Sequence, residues 1–291
     1  MLLDEGRGET MKTLKITGRP VFLLCFFALG FNLYAESAYT IDRVESAFTL
    51  DLRRDIIISG LAAGVFFGSF LIPGTEEIPN LDRNDVNFID RRLMFDNYGS
   101  LTVFTNIMRP VMGIMPIIVP LALVQWNVFN FIDDFPVWLT YGVMYIQAVA
   151  LTYGTRRALG NAIDRHRPFR YFADYIEEPV SPHSFPSGST AMAFLPATFF
   201  SVTFSREFPN SPWRIPVIVG SHLLAAGVGV SRITPGYHFL TDVLAGAAIG
   251  SFFGWAIPTL HRRPAVAIGP NAEKKLSFRF AGNGAIMSLR R

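Results

Sequence analysis

The chain has 291 residues, of which 50% are hydrophobic and only 17% are charged. Soluble domains typically carry about a quarter charged residues, so this composition indicates a protein that crosses a membrane several times. The net charge of +3 is spread along the chain, without the basic tract that would argue for nucleic-acid binding. The single cysteine, Cys25, excludes an internal disulfide.

The N-terminus has the pattern of a secretory signal peptide. A basic start precedes an apolar run from Val21 to Phe31, which is too short to cross a bilayer comfortably. The small residue Ala35 then precedes a polar stretch. We predict a signal peptide over residues 1–35 with cleavage after Ala35, and an uncleaved membrane anchor is the alternative. Cleavage would also remove Cys25.

Six apolar stretches follow, and their composition predicts transmembrane helices. The predicted fold is all-α, a single six-helix transmembrane bundle over residues 55–260. Residues 36–54 are an interfacial lead-in and residues 261–291 a basic polar tail. Residues 75–100 are predicted to be a solvated loop with a helix cap, or a short amphipathic helix. The six predicted helices cover residues 55–72, 101–124, 137–160, 189–205, 215–230 and 239–260.

Ionisable side chains cluster between the last two predicted helices, from Ser231 to Asp242. Ionisable groups near the hydrocarbon core of a membrane carry a high free-energy cost, so they usually mark a functional site. His238 and Asp242 are four residues apart and can hydrogen-bond on one helix face. A carboxylate on one imidazole nitrogen leaves the other nitrogen free to attack. With the cation Arg232 nearby, the pattern indicates a nucleophile acting on an anion, most simply a phosphate.

The loop between the third and fourth predicted helices carries further anion-binding groups. Ser187-Gly188 opens a helix, whose N-terminal N–H groups and dipole favour an anion. An arginine such as Arg167 offers a planar fork to phosphate oxygens. Both loops follow odd-numbered helices, so they lie on the same side of the membrane. The predicted phosphate ligands in front of His238 are Arg167, Ser187, Gly188 and Arg232.

These residues resemble the motifs of the type 2 phosphatidic acid phosphatase superfamily of membrane lipid phosphatases. That family carries three blocks, KxxxxxxRP, PSGH and SRxxxxxHxxxD. The third block is complete in Ser231–Asp242, the second is present as Pro186-Ser187-Gly188, and the first as Arg167-Pro168. Block order and spacing also match, so the resemblance covers roughly residues 55–260.

The resemblance implies a phosphatase that needs no metal or other cofactor and that works through a phosphohistidine. His238 would be the nucleophile and Asp242 would orient it. The four predicted ligands would hold the phosphate. Water would then hydrolyse the phosphoenzyme.

The chain departs from the family pattern in its first block. The family lysine would fall at Gly160. Arg156 lies one helical turn earlier on the same helix face, so its long side chain is a candidate replacement. Arg165, Arg157 or no residue at all are the alternatives.

The second departure concerns the proton that the leaving group needs. The family's second-block histidine, the expected general acid, is Ser189 here. A hydroxyl is a poor acid near neutral pH, and general acid catalysis is worth about 10²–10⁴-fold. Either His183 or His166 replaces it, or the leaving group is a weakly basic phosphate, or turnover is slow. His222, in the fifth predicted helix, is expected to be a structural hydrogen-bonding residue.

The leading hypothesis is a membrane-embedded phosphatase of lipid phosphate monoesters or diphosphates. The alternatives are a catalytically weakened lipid-phosphate binding protein and a phosphoryl transferase of the same superfamily. We expect lipid phosphates and membrane lipids as partners and no nucleic acid, and the sequence defines no oligomeric state. The expected location is the cell (inner) membrane, with several spans. The arginine distribution favours a periplasmic or extracellular catalytic face, whereas an exported N-terminus would place that face in the cytoplasm.

Overall fold

A computed structural model of the chain describes residues 46–74, 81–95, 107, 135–172, 183–263, 276–281 and 284–289. The predicted signal peptide (1–35) lies outside these residues. So does the predicted helix over residues 101–124, apart from Ile107. Both stay predictions.

Helices make up most of the described chain up to Arg263. Three of them begin where a side chain accepts a hydrogen bond from an otherwise unpaired N–H group. These N-caps are Asp51, Asn87 and Ser187. The helices are α1 (Leu52–Gly68), α2 (Phe88–Arg92), α3 (Phe135–Ile163), α4 (Gly188–Glu207), α5 (Arg214–Ile233) and α6 (Leu240–Leu260), with single 3-10 turns at Arg83–Asp85 and Pro168–Tyr171.

The predicted helices in the described part of the chain are all present. They correspond to α1 and α3–α6, and their ends move by no more than four residues from the predicted positions. Of the described helices, α5 and α6 are long and apolar enough to cross a bilayer, judged by length and composition. The helical prediction is therefore confirmed for this region.

The tail differs from the all-α prediction. Residues Leu276–Ala281 (β1) and Gly284–Leu289 (β2) pair as antiparallel strands. The sequence Leu-Ser-Phe-Arg-Phe of β1 alternates apolar and polar residues, which is the period of a strand. The sequence prediction was wrong here because it considered only whether the tail could span a bilayer.

The closest helix packing is between α4 and α6. Gly246, Gly250 and Gly254 lie along α6, where an added Cβ would collide with the backbone of α4. Small residues let helix backbones approach in this way. The pairing places the start of α6 directly against the start of α4, because the Ser187 N–H donates to the Asp242 carbonyl at 2.9 Å.

The sequence of α1 is rich in small residues, among them Gly60, Gly64 and Gly68, and such residues favour close helix approach in lipid. An added Cβ at Gly60, Gly64 or Gly68 would meet no described atom within 4 Å. The glycine that brings α1 close to α3 is instead Gly154 of α3, which lies against the backbone of α1 at Val65 and Phe66. The composition of α1 identified a helix that packs closely, but not the residue at the contact.

The helices bring their ends together in two groups. The end of α3, the start of α4, the end of α5 and the start of α6 meet at one end of the bundle, as the predicted shared side requires. At the opposite end, the described part of the lead-in is tied down by Glu207, which accepts hydrogen bonds from Ser46 and Tyr141 at 2.8 Å. There too His261 Nε2 lies 2.6 Å from the Asp55 carboxylate.

Candidate active site

The turn between α5 and α6 depends on a glycine. Gly236 has a φ of +73°, which side chains rarely tolerate, and an added Cβ there would lie 2.7 Å from the Phe95 carbonyl oxygen. Its own carbonyl accepts a hydrogen bond from the Phe169 N–H at 3.0 Å. The His238 N–H donates back to the Arg232 carbonyl at 3.0 Å. These contacts fix the chain just before the imidazole.

The side chain of His238 is 95% buried, and both of its ring nitrogens have defined neighbours. The Nδ1–H donates to the Ser184 carbonyl at 2.7 Å, while Nε2 lies 3.5 Å from Nη1 of Arg167. A carbonyl oxygen can only accept, so the proton of the neutral ring is on Nδ1 and the Nε2 lone pair is left for a nucleophilic role.

Burial lowers the pKa of His238 to about 4, because the charged imidazolium would lose its solvation. The nearby cations Arg167 and Arg232 lower this pKa further, against the opposing effect of Asp242. The imidazole is therefore neutral at physiological pH, as a nucleophile must be.

The predicted hydrogen bond between His238 and Asp242 is not formed. Asp242 Oδ2 lies 3.8 Å from His238 Nδ1 and accepts instead from the Phe239 N–H at 2.8 Å. The helical spacing rule fails because α6 begins only at Leu240, after the histidine. Asp242 is the third residue of that helix, and its carboxylate caps the helix start. Its charge still faces the imidazole, but the Ser184 carbonyl is the hydrogen-bond acceptor.

Arg167 lies on the Nε2 side of the imidazole, and both Arg167 and Arg232 contact Tyr237. The Arg167 guanidinium donates to the Tyr237 carbonyl at 2.9 Å, and that of Arg232 lies 4.2 Å from the centre of the Tyr237 ring. Burial, together with the charge of Arg232, lowers the pKa of Arg167 to about 10. Arg167 is buried and Arg232 is partly buried. The two cations repel each other, and an anion between them would relieve that repulsion.

The start of α4 differs in one respect from the predicted anion turn. The Ser187 N–H already donates to the Asp242 carbonyl, and its hydroxyl lies 2.9 Å from the Thr190 hydroxyl. Gly188 and Ser189 are the first two helical residues, so their N–H groups have no acceptor within the helix. These N–H groups, rather than that of Ser187, are therefore the candidates for binding an anion.

Of the three arginines considered as replacements for the family lysine, Arg156 lies at the anion turn. Its guanidinium Nη1 would be only 2.6 Å from a Cβ added to Gly188. Arg157 instead stacks 4.3 Å from the centre of the Phe70 ring. Arg165 pairs with Asp90 at 2.6 Å and with Asp242 at 2.8 Å. A role for Arg156 in phosphate binding stays a prediction, and its guanidinium lies next to Gly188.

The other histidines have structural contacts. His183 Nδ1 lies 2.9 Å from the Asp164 carboxylate, and His166 pairs with His183 through a short backbone bridge. Burial lowers the pKa of His166. His222 contacts the Thr198 hydroxyl at 3.2 Å and the Ile218 carbonyl at 2.8 Å, which fits the structural role that the sequence suggested.

Sequence reasoning missed two parts of this site. The Ser184 carbonyl belongs to the backbone, so the residue type at position 184 does not indicate its role. Asp90 was placed in a solvated loop, yet it is fully buried. In the part of the chain that the structure describes, no three His, Cys, Asp or Glu side chains gather in a way that would hold a metal ion.

Comparison with known proteins identifies what the site region is similar to. A sequence model of the PAP2 superfamily matches residues 141–264. The matched segment carries all three motif blocks, so the resemblance that the motifs indicated is confirmed over it.

Two curated relatives match parts of the chain. Lipid A 1-phosphatase of Porphyromonas gingivalis is 36% identical over 89 residues, which are 29% of this chain and 19% of that protein. Phosphatidylglycerophosphatase B of Bacillus subtilis is 35% identical over 107 residues, 34% of this chain and 50% of that protein. The matched region thus spans at most half the length of these relatives.

A solved structure, that of a transmembrane PAP2 type phosphatidylglycerolphosphate phosphatase from Bacillus subtilis, also aligns with the chain. The alignment covers 84% of this chain and 96% of that one, with 18% sequence identity and a TM-score of 0.41.

Proposed function

We propose that this protein is an integral-membrane lipid phosphatase that hydrolyses lipid phosphate monoesters or diphosphates through a phosphohistidine on His238. The observation that carries the proposal is the hydrogen bond from Nδ1 to the Ser184 carbonyl, which leaves Nε2 unprotonated beside Arg167. A buried, neutral imidazole facing two arginines suits attack on a phosphorus atom. The PAP2 superfamily match and the two phosphatase relatives support the same reaction class.

The proposed reaction has two displacements at phosphorus. In the first, the Nε2 lone pair forms the N–P bond while the bond from phosphorus to the leaving oxygen breaks. Arg167, Arg232 and the N–H groups at the start of α4 stabilise the charge on the phosphoryl oxygens. In the second, water attacks phosphorus, and the N–P bond breaks with its electron pair returning to Nε2. The attacking water releases one proton and the leaving oxygen of the first step takes up one, so protons balance over the cycle, and inorganic phosphate leaves. No metal or other cofactor takes part in this scheme.

The site's position suits a substrate anchored in a bilayer. His238 lies at the junction of α5 and α6, the two described helices that are long and apolar enough to span. A phosphate bound at these helix ends would sit at headgroup depth while its acyl or isoprenyl chain stayed in the bilayer. We propose a multi-pass protein of the cell membrane with its catalytic face on the periplasmic or extracellular side.

A substrate panel tests the proposal. Detergent-purified protein is assayed with a metal chelator for phosphate release from phosphatidic acid, phosphatidylglycerophosphate, isoprenyl diphosphate and lipid A phosphates. We expect release from at least one of them, and loss of that release in His238→Ala. The proposal is wrong if none releases phosphate, or if His238→Ala matches the parent.

The second candidate function, a slow or non-catalytic lipid-phosphate binding protein, is favoured by Ser189. The same panel, run with Ser189→His, separates the two. If the chain lacks a general acid, the variant should hydrolyse monoesters faster, by as much as about 10²–10⁴-fold, with less gain on diphosphates. An unchanged monoester rate would indicate another donor. Adding an alcohol acceptor and analysing the products would detect a phosphoryl transferase.

A further inference from the structure

Asp90 is a buried carboxylate that reaches the site from outside the segment matched to the PAP2 superfamily. It lies on α2, and none of its surface is exposed. Its oxygens accept hydrogen bonds from the Arg165 guanidinium and the Asn87 amide, both at 2.6 Å, and from the Thr241 N–H at 3.0 Å. Burial alone would raise the pKa of Asp90, but these hydrogen bonds hold it below its ordinary value. The carboxylate is therefore charged and paired.

Arg165 connects Asp90 with the catalytic side of the network. Its Nη2 donates to Asp90 at 2.6 Å, and its Nη1 donates to Asp242 at 2.8 Å. The guanidinium also stacks 4.0 Å from the centre of the Phe239 ring. A planar guanidinium between two carboxylates can donate hydrogen bonds to both of them in only one orientation. Arg165 is thus fixed from one side by Asp90, and it holds Asp242 from the other.

The segment that carries Asp90 also braces the turn before His238. The Phe95 carbonyl packs against Gly236, close enough to exclude any side chain there. The Thr241 N–H and hydroxyl both donate to Asp90 at the start of α6. Residues 90 and 95 therefore contact the chain on both sides of His238.

We propose that Asp90 is a positioning residue for the phosphoryl-transfer step, acting through Arg165 on Asp242 and so on the placement of His238. The inference rests on the proposed function of His238 as nucleophile. It extends the functional machinery to a part of the chain that the motifs do not cover.

The physical argument concerns what remains when the Asp90 charge is removed. Arg165 would keep a single carboxylate partner, Asp242, and would be free to rotate toward it. Asp242 would be displaced with it, although its side chain caps α6 and its carbonyl holds Ser187 at the start of α4. A displacement of about 1 Å at a reacting group can cost about 10²-fold in rate. The loss should fall on the transition state more than on ground-state phosphate binding.

The test compares Asp90→Asn with the parent and with Asp85→Asn, which removes an exposed carboxylate on the same segment. Binding of vanadate, which mimics the transition state, and of inorganic phosphate is measured by calorimetry, alongside turnover on the best lipid phosphate. For Asp90→Asn we expect kcat to fall about 10–100-fold with little change in KM. Vanadate affinity should fall about 10-fold more than phosphate affinity. Asp85→Asn should match the parent in every measurement.

Arg165→Lys keeps the positive charge but loses the fork, so it should show the same selective loss of vanadate binding, even if Asp90→Asn does not fold. The double variant should be no worse than Arg165→Lys alone, because both changes break one path. The inference is overturned if Asp90→Asn resembles Asp85→Asn, or if vanadate and phosphate weaken equally. The inference would also be overturned if the fold-losses of Asp90→Asn and Arg165→Lys multiplied when the two changes were combined. A parent that binds vanadate without turnover contradicts the proposed function, and the ratio of vanadate to phosphate affinity then still tests whether Asp90 positions His238. A parent that binds no vanadate contradicts both.

Discussion

At the scale of single residues, the sequence identifies the candidate nucleophile but not the backbone contact that fixes its tautomer. The spacing of Arg232, His238 and Asp242 singled out His238, which the structure places beside Arg167. The atom that fixes its tautomer is the carbonyl of Ser184, which is 54 residues away in the chain. Any residue type supplies a carbonyl, so no pattern of side chains predicts this contact. The helical spacing of His238 and Asp242 suggested a different acceptor because it assumed that both residues lie on the helix.

The buried environment of His238 predicts its titration. Its pKa is lowered to about 4, whereas an exposed histidine titrates near about 6.5. Between these values the unfolded chain binds a proton that folded His238 does not, so this residue lowers stability as the pH falls from about 6.5 to 4. In detergent, NMR of labelled imidazoles should show His238, assigned by its loss in His238→Gln, neutral at pH 5.5. Titration of that resonance near 6.5 would contradict the burial described here.

At the scale of helices, the positions of the elements follow from apolar length, but their contact faces do not. Every helix predicted on described residues is present, and two of these helices, α5 and α6, are long and apolar enough to cross a bilayer. The glycines at these close contacts are on α6 and, at Gly154, on α3, whereas composition alone favours those of α1. A glycine supports close approach only where a second backbone lies opposite, and the identity of that neighbour depends on the whole bundle. The burial of Asp90 is unpredictable for the same reason, since its partners lie on α6 and beside α3.

Gly250 gives the sharpest test of this packing. A Cβ there would collide with the backbone of α4 at Ala191 and Leu195, which cannot move aside as a side chain can. Gly250→Ala should therefore lower the free energy of unfolding by about 1–3 kcal/mol or more. Gly220→Ala on α5, where a Cβ meets no described atom within 4 Å, should be neutral or stabilising, since alanine favours helix. Thermal unfolding in detergent compares the two, and equal effects would contradict the α4–α6 contact.

At the scale of the whole molecule, the two ends of the bundle are chemically different. One end holds the cations around His238. The other holds the Asp55–His261 pair and the hydrogen bonds of Glu207. The sequence predicted this polarity through the order of helices, because connections after odd-numbered helices must share a side. It did not predict the paired strands of the tail, although apolar and polar residues alternate along β1.

The polarity of α6 predicts where the tail lies. α6 starts beside His238 and has 21 residues. At 1.5 Å per residue its length is about 31 Å, which matches the thickness of a bilayer's hydrocarbon core. If α6 spans the bilayer, residue 261 and the site therefore lie on opposite sides of it. If the catalytic face is outward, the tail is cytoplasmic. A reporter that is active only in the cytoplasm should then be active when it is fused after Arg291. Activity of a reporter that requires export would instead place the catalytic face in the cytoplasm.

The central claim, that His238 carries the phosphoryl group, is tested most directly by trapping the intermediate. Purified protein is mixed with a lipid substrate radiolabelled in the phosphate that is transferred, quenched within milliseconds in alkaline denaturant, and digested for mass spectrometry. The account predicts an acid-labile, alkali-stable label on the peptide that contains His238, and no label in His238→Ala. Turnover without any labelled protein, or a label on another residue, would contradict it.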